Sequence, residues 1–383
     1  MLKQLSQIDQ IAFADLVDKS HDAAFDANFP ANGSFLKQTR SGRQYWYYRG
    51  YARTLDGSPG ASTLKYVGPV DDAEIERRVA RFGSIKSDYL VRRDLAAKLR
   101  RAGLPAPTPT EGQVVQALAE AGLFRLRAVL VGSVAYQSYA GVLGVRFPDA
   151  QYRTGDLDIA QDYGVSVALD DRVDPLDTVL KGVDPTFATT EHWNTPNVAS
   201  GFRNAAGFKV EFLTTSRGKI EYQNHVAKMP ALGGVGAQPL PFLDFLIREP
   251  VRSVLLHDAG IGVVVPDPAR YAIHKLIVTI RRQNRAKSGK DLSQSATLIE
   301  GLVQQGRGAD VGLAWIEAFG RGPNWRRALA RGAIGLEDSP LDALRSAVLA
   351  TGVSAVPNGT GFDEKRAARQ SLTSHFGPAD KPD

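Results

Sequence analysis

The sequence predicts an α+β protein: a mixed sheet flanked by helices, with a small N-terminal antiparallel β-meander and a C-terminal helical domain. Three observations carry this. Ala128–Val131 is an apolar run that meets Gly132-Ser133 and a helix-compatible stretch, and it is answered by a second strand, Gly155–Ala160. Residues 208–214 alternate apolar and polar positions, with Phe208, Val210 and Phe212 set against Lys209 and Glu211. Residues 44–51 are rich in strand-forming aromatics, whereas residues beyond 268 carry helical spacing.

Taken in order, residues 4–19 place Leu5, Ile8, Ile11, Ala12 and Leu16 at helical intervals, and a linker with Pro30, Asn32 and Gly33 closes a segment 1–33. The meander occupies 34–70, with Asp56-Gly57 as its hairpin signal. A helical connector, 71–125, follows. Asp71 with Glu74 and Thr110 with Gln113 fit the capping-box pattern, and Gly103 and Pro105 stop the helix over 86–102. The core spans 126–250 and includes a hairpin across Ala205-Ala206-Gly207. Its glycine- and proline-rich segment 228–242 reads as loop. The C-terminal helical domain covers 251–350. It opens on a strand pair, 253–256 with 262–265, and continues with a helix over 268–286 capped by Asp267-Pro268. Asp291 with Gln294 marks another helix start, and Gly322-Pro323 and Gly332 mark breaks. The tail, 351–383, is polar and is expected to be partly disordered.

Bulk composition narrows the function classes. The chain has 383 residues, 43% apolar and 23% charged, which is ordinary for a globular protein. Its net charge of +6 is compatible with a polyanionic partner. The absence of cysteine excludes disulfides, thiolate metal sites and cysteine nucleophiles. The six histidines have no zinc-binding spacing. No secretory leader or membrane-length apolar run is present, so the chain reads as cytoplasmic, with no membrane partner.

Side chains alternate along a strand, so Asp156 and Asp158 share one face while Leu157 and Ile159 take the other. Two carboxylates on one rigid face select a hard divalent cation, Mg2+ or Mn2+. The alternation in 208–213 puts Glu211 forward as a third carboxylate of the same site. Three such groups on neighbouring strands suit two-metal chemistry, in which one ion activates an attacking hydroxyl and the other holds a triphosphate. Gly132 allows a backbone to approach a phosphate, and Ser133 at the helix start adds donors. Each piece alone is equally an ordinary surface feature; their order gives them weight.

That order resembles the polymerase-β-type nucleotidyltransferase superfamily, whose motif is Gly-Ser/Gly, then Asp-x-Asp, then a third acid on a later strand. The interval of 24 residues from Gly132 to Asp156 is longer than in compact members. It sets the chain apart from the antitoxin-like and aminoglycoside-modifying branches and is similar to a bacterial nucleotidyltransferase-fold branch. The similarity covers most of the chain. It includes Gly42–Tyr47, Lys65–Pro69, Ala121–Arg125, Thr154–Ala160 and Val265–Leu276. The resemblance implies Mg2+-dependent transfer of NMP from an NTP such as ATP, with release of pyrophosphate. Asp156, Asp158 and Glu211 would be the catalytic, metal-binding acids, and Gly132 and Ser133 would bind the nucleotide.

Lys275 lies four residues after Tyr271, on the same helix face, and is either a phosphate-holding cation or a solvated helix residue. Arg281, Arg282, Arg285, Lys287 and Lys290 form a basic run. It reads as a helix end favoured by the dipole or as a guide for a polyanion. The acceptor is expected to be RNA, such as a tRNA end, or a protein. The aromatics of the meander either stack bases or pack their own sheet. The rival function is a protein of the same fold that binds nucleotide or nucleic acid without turnover, in a toxin–antitoxin or defence setting.

Overall fold

A computed structural model describes residues 2–29, 34–53, 59–82, 89–148, 155–192, 195–216, 225–280 and 285–352. The Asp56-Gly57 turn, the linker at 30–33 and the tail beyond 352 lie outside the described residues. Contacts divide the chain into two compact units. One comprises Gln7–Ser138 with Tyr152–Val265, and the other Met1–Ser6, Tyr139–Gln151 and Pro266–Asp383.

After the two-residue strand β1 (Lys3–Gln4), α1 runs from Gln7 to Asn28. The meander is a three-stranded antiparallel sheet of β2 (Ser34–Arg40), β3 (Arg43–Arg53) and β4 (Pro59–Pro69). Tyr47, Tyr48 and Tyr66 are buried, and Tyr48 packs with Phe29 and Val67 at the centre of an apolar cluster. These three aromatics therefore stabilise their own small sheet, which needs them because so few strands bury little area. The cap of α2 (Ala73–Ala80) is Asp72, not Asp71. Its Oδ1 accepts from the Glu74 and Ile75 amides at 3.0 and 3.2 Å. After α3 (Tyr89–Arg101), helix α4 (Pro109–Glu120) starts two residues earlier than Thr110 with Gln113 suggested. Its capping box is Thr108 with Glu111, and Pro109 at the first helical position needs no amide partner.

Among the described residues the central sheet has seven strands. Its elements in chain order are β5 (Val129–Val131), α5 (Gly132–Val142), the short β6 (Val145–Arg146), β7 (Asp156–Ala160), α6 (Tyr163–Ala168), α7 (Leu176–Val183), β8 (Ala188–His192), β9 (Thr195–Arg203), β10 (Lys209–Thr215), β11 (Ala227–Met229) and β12 (Val235–Leu240). Strand β6 pairs with β1 outside this sheet, in the other unit. Strand β10 lies parallel to β7 along one edge. Its other edge is shared by antiparallel β9 and parallel β12. The segment 228–242 is thus mostly sheet rather than loop. Burial of Met229, Val235 and Ala237 overrides its glycine and proline content, and Pro239 lies beyond the residues that β11 pairs. A short α8 (Leu243–Leu246) leads to the expected hairpin of β13 (Val251–Leu255) and β14 (Ile261–Val265).

His21 of α1 donates from Nε2 to the Ser253 carbonyl at 3.1 Å. Burial, then the charges of Arg78 and Arg252, lower its pKa to about 4. The unfolded chain takes up this proton near pH 6.5 and the folded chain only near 4, so stability is lost as pH falls through that window. The His21→Gln variant is expected to remove up to about 3 kcal/mol of this dependence. Urea midpoints of wild type and variant at pH 7 and pH 4.5 check it; parallel declines would contradict it.

The other unit contains α9 (Pro268–Thr279), α10 (Arg285–Gln304), α11 (Gly308–Gly320), α12 (Pro323–Ile334) and α13 (Asp338–Ala350). Asp267 caps α9 as expected, accepting from the Ala269 and Arg270 amides at 2.9 and 3.1 Å. The helix ends at Thr279 and a new one begins at Arg285, so Lys287 and Lys290 lie in the first turns of α10. The dipole does not favour cations there, contrary to the expected helix end. Arg281 and Arg282 fall outside the described residues. Asp291 is inside α10, not a cap. Gly332 does not break α12; a Cβ there would collide with the Leu276 carbonyl of α9, so it is where the two helices pack closely.

Candidate functional site

Strand β5 ends one residue before Gly132, which has φ +71° and so turns the chain in a conformation costly for any side chain. The antiparallel register of β5 and β7 sets Val131 opposite Asp158. A Cβ on Gly132 would overlap the Asp158 carboxylate. The glycine turn and the second aspartate are therefore in contact, although 24 residues separate Gly132 from Asp156 and 149–154 lie outside the described residues. Gly132→Ala is expected to lower the unfolding free energy by about 1–2 kcal/mol and to displace Asp158. A urea titration checks the first, and an unchanged midpoint would contradict it.

Strand β7 positions its acids by burying the alternate residues. Leu157 and Ile159 are fully buried, and Asp156 and Asp158 are half-buried on the other face. Strand β10 repeats the pattern: Val210 and Phe212 are buried, Lys209 and Glu211 exposed. The parallel register pairs Glu211 with Asp158 and Lys209 with Asp156. Neighbouring strands lie about 4.8 Å apart, so Glu211 and Asp158 project side by side. Several bonds lock this register. Lys209 N–H donates to the Gly155 carbonyl at 3.1 Å, the Thr214 hydroxyl to the Gln161 carbonyl at 2.8 Å, and the Thr215 hydroxyl to Asp162 at 2.8 Å.

Gly132, Asp156, Asp158 and Glu211 thus come together, with Ser133 half-buried at the start of α5. Among the described residues no three His, Cys, Asp or Glu side chains converge into a ready metal-ligand group. The carboxylates share a face rather than forming a closed ligand set. Their oxygen donors suit a hard divalent cation, and the absence of a side chain at Gly132 lets the Asp158 carboxylate lie against the turn. Lys209 is a cation of this face that the sequence reading left unassigned; its alternation with Val210 already placed it beside Glu211.

Lys275 belongs to the other unit. It is 6% exposed, pairs with Asp291 at 2.5 Å and lies 5.2 Å from the centre of the Tyr271 ring, so the two residues do share a helix face. It is therefore buried and paired rather than a solvated helix residue.

Comparison with known proteins adds a family. A search of curated proteins finds no match to the chain. Among solved structures, the chain is similar to an antigenic nucleotidyltransferase-like protein from Paracoccidioides brasiliensis, at 16% identity. That match covers 62% of this chain and 99% of the other, with a TM-score of 0.29. No helix among the described residues is long and apolar enough to cross a membrane. A family model described as nucleotidyltransferase matches residues 110–320, more than half of the chain and all the elements that carry the glycine turn and the three acids. The chain belongs to this nucleotidyltransferase family.

Proposed function

We propose that the protein is a Mg2+- or Mn2+-dependent nucleotidyltransferase that transfers NMP from an NTP to an RNA or protein acceptor and releases pyrophosphate. The observation that supports this best is the register placing Gly132, Asp158 and Glu211 together across three adjacent strands. In this reading Asp156, Asp158 and Glu211 hold the divalent ion. The ion would supply charge neutralisation of the triphosphate and a lowered pKa for the attacking hydroxyl.

The chain's own residues do the rest. Gly132 and Ser133 offer backbone donors at the start of α5, where the helix dipole favours a phosphate. Lys209 adds a positive charge on the carboxylate face, beside Asp156 in the register. Lys275, in the other unit, binds a phosphate only where its ammonium exchanges Asp291 for the ligand. The net charge of +6 favours an RNA acceptor, such as tRNA.

The test uses each α-labelled NTP with RNA and protein fractions as acceptors, comparing wild type with Asp156→Asn/Asp158→Asn. Labelling of one acceptor class by wild type alone is the expected result. Equal labelling by both proteins would remove the metal-site assignment. RNA binding that survives loss of all three carboxylates, with no labelling, would favour the non-catalytic rival.

A further inference from the structure

The unit that carries the acids also contains a cavity of about 880 Å³, walled by α1, β4, α2 and the β13–β14 hairpin. Val129 and Asp162 line it, at the ends of β5 and β7 away from Gly132 and Asp156. From Asp156 to Asp162 the chain advances about 20 Å at strand rise. None of Gly132, Asp156, Asp158 and Glu211 lines the cavity.

Among the described residues its wall holds five arginines: Arg78, Arg125, Arg127, Arg248 and Arg252. Arg78 is only 3% exposed. Its Nε donates to Asp22 at 2.6 Å, but its Nη2 is buried with no hydrogen-bond partner among the described residues. Arg125 donates from Nη1 to the Tyr66 carbonyl at 2.6 Å and to Asp171 at 2.5 Å, while its Nε is likewise buried and unpartnered. A buried donor left unmade costs about 1–3 kcal/mol, and native proteins keep few of them. Two on the wall of one cavity call for an acceptor.

The acids on the same wall already have partners. Asp72 caps α2 and binds Arg252 at 3.0 Å, and Asp162 accepts from Val165 N–H and Thr215. Asp244 and Glu249 also have interactions of their own. The lining is also aromatic: Phe29, whose ring centre lies 5.9 Å from the Arg125 guanidinium carbon, with Phe25 and Phe124. The size suits a small organic molecule, and the planar guanidinium fork suits an oxyanion.

We propose that this cavity binds an organic anion, with its phosphate or carboxylate head on Arg78 and Arg125 and a flat apolar body against Phe29 and Phe124. The site is separate from the carboxylate face and does not depend on the transfer chemistry proposed above. The cost of desolvating the two enclosed N–H groups is already met in the fold.

Calorimetric titration of the full chain with phenyl phosphate, benzoate and inorganic phosphate tests the proposal. Phenyl phosphate or benzoate is expected to bind one-to-one and more tightly than inorganic phosphate, and whichever binds better identifies the head. Arg78→Lys and Arg125→Lys are each expected to raise the Kd at least tenfold, with Asp156→Asn/Asp158→Asn leaving it unchanged. In methyl-labelled wild type, the Ile75 and Ile247 signals on the cavity wall should shift and Ile299 in the other unit should not. This readout decides the matter if an arginine variant does not fold. Absence of binding by both organic anions, shifts confined to other methyls, or binding lost in the aspartate variant would overturn the proposal.

Discussion

Asp158→Asn is expected to lower nucleotidyl transfer by on the order of 10³-fold, the size of loss that follows removal of one electrostatic partner of developing charge. That is about 4 kcal/mol of transition-state stabilisation. Three features concentrate the effect on this residue. Asp158 faces Glu211 in the β7–β10 register, it is opposite Val131 in the β5–β7 register, and its carboxylate lies against Gly132. Asparagine keeps the shape and the packing of Leu157 and Ile159 beneath, so the fold should be unchanged. Steady-state rates with a saturating NTP, together with a urea midpoint equal to wild type, check both halves. A tenfold loss or less would place the chemistry elsewhere.

Lys275→Met is expected to destabilise the protein by about 3–5 kcal/mol, the usual result of removing one partner from a buried ion pair. Asp291 is 4% exposed, and its bond to the Lys275 ammonium would be lost. The double variant Lys275→Met/Asp291→Leu should recover most of the loss, because two apolar side chains of similar size need no desolvation. Urea unfolding followed by tryptophan fluorescence measures all three. The same series decides the lysine's role in catalysis. A single variant of wild-type stability but with a raised KM for NTP would make Lys275 a phosphate ligand and its bond to Asp291 incidental.

Much of the candidate site was legible in the sequence because strand alternation is a strict rule. The alternation of Asp156–Ile159 and of Phe208–Phe212 placed three carboxylates on one face, and the register confirms that placement. Asp267-Pro268 was legible because cap and first helical residue are adjacent in sequence. What was not legible depends on neighbours distant in the chain. Strand β12 and the turn before it carry glycine and proline, and only the burial of β11 and β12 reveals them as sheet. The pairing of Lys275 with Asp291 requires knowing that α9 ends at Thr279, so that the next helix can fold back on it. Arg78, Arg125 and Arg252 are far apart in sequence, each unremarkable alone, and the fold alone brings them to one wall. The caps of α2 and α4 were missed by one and two residues because Asp71-Asp72 and Thr108-Pro109-Thr110 each offer more than one candidate.

Binding of Mn2+ tests the central claim without knowledge of the acceptor. The free ion is followed by electron paramagnetic resonance during titration of wild type and of Asp156→Asn/Asp158→Asn/Glu211→Gln. Wild type is expected to take up the ion, more tightly in the presence of an NTP, and the triple variant to lose that uptake. Equal uptake by the two proteins would contradict the assignment of the carboxylate face as the metal-binding centre.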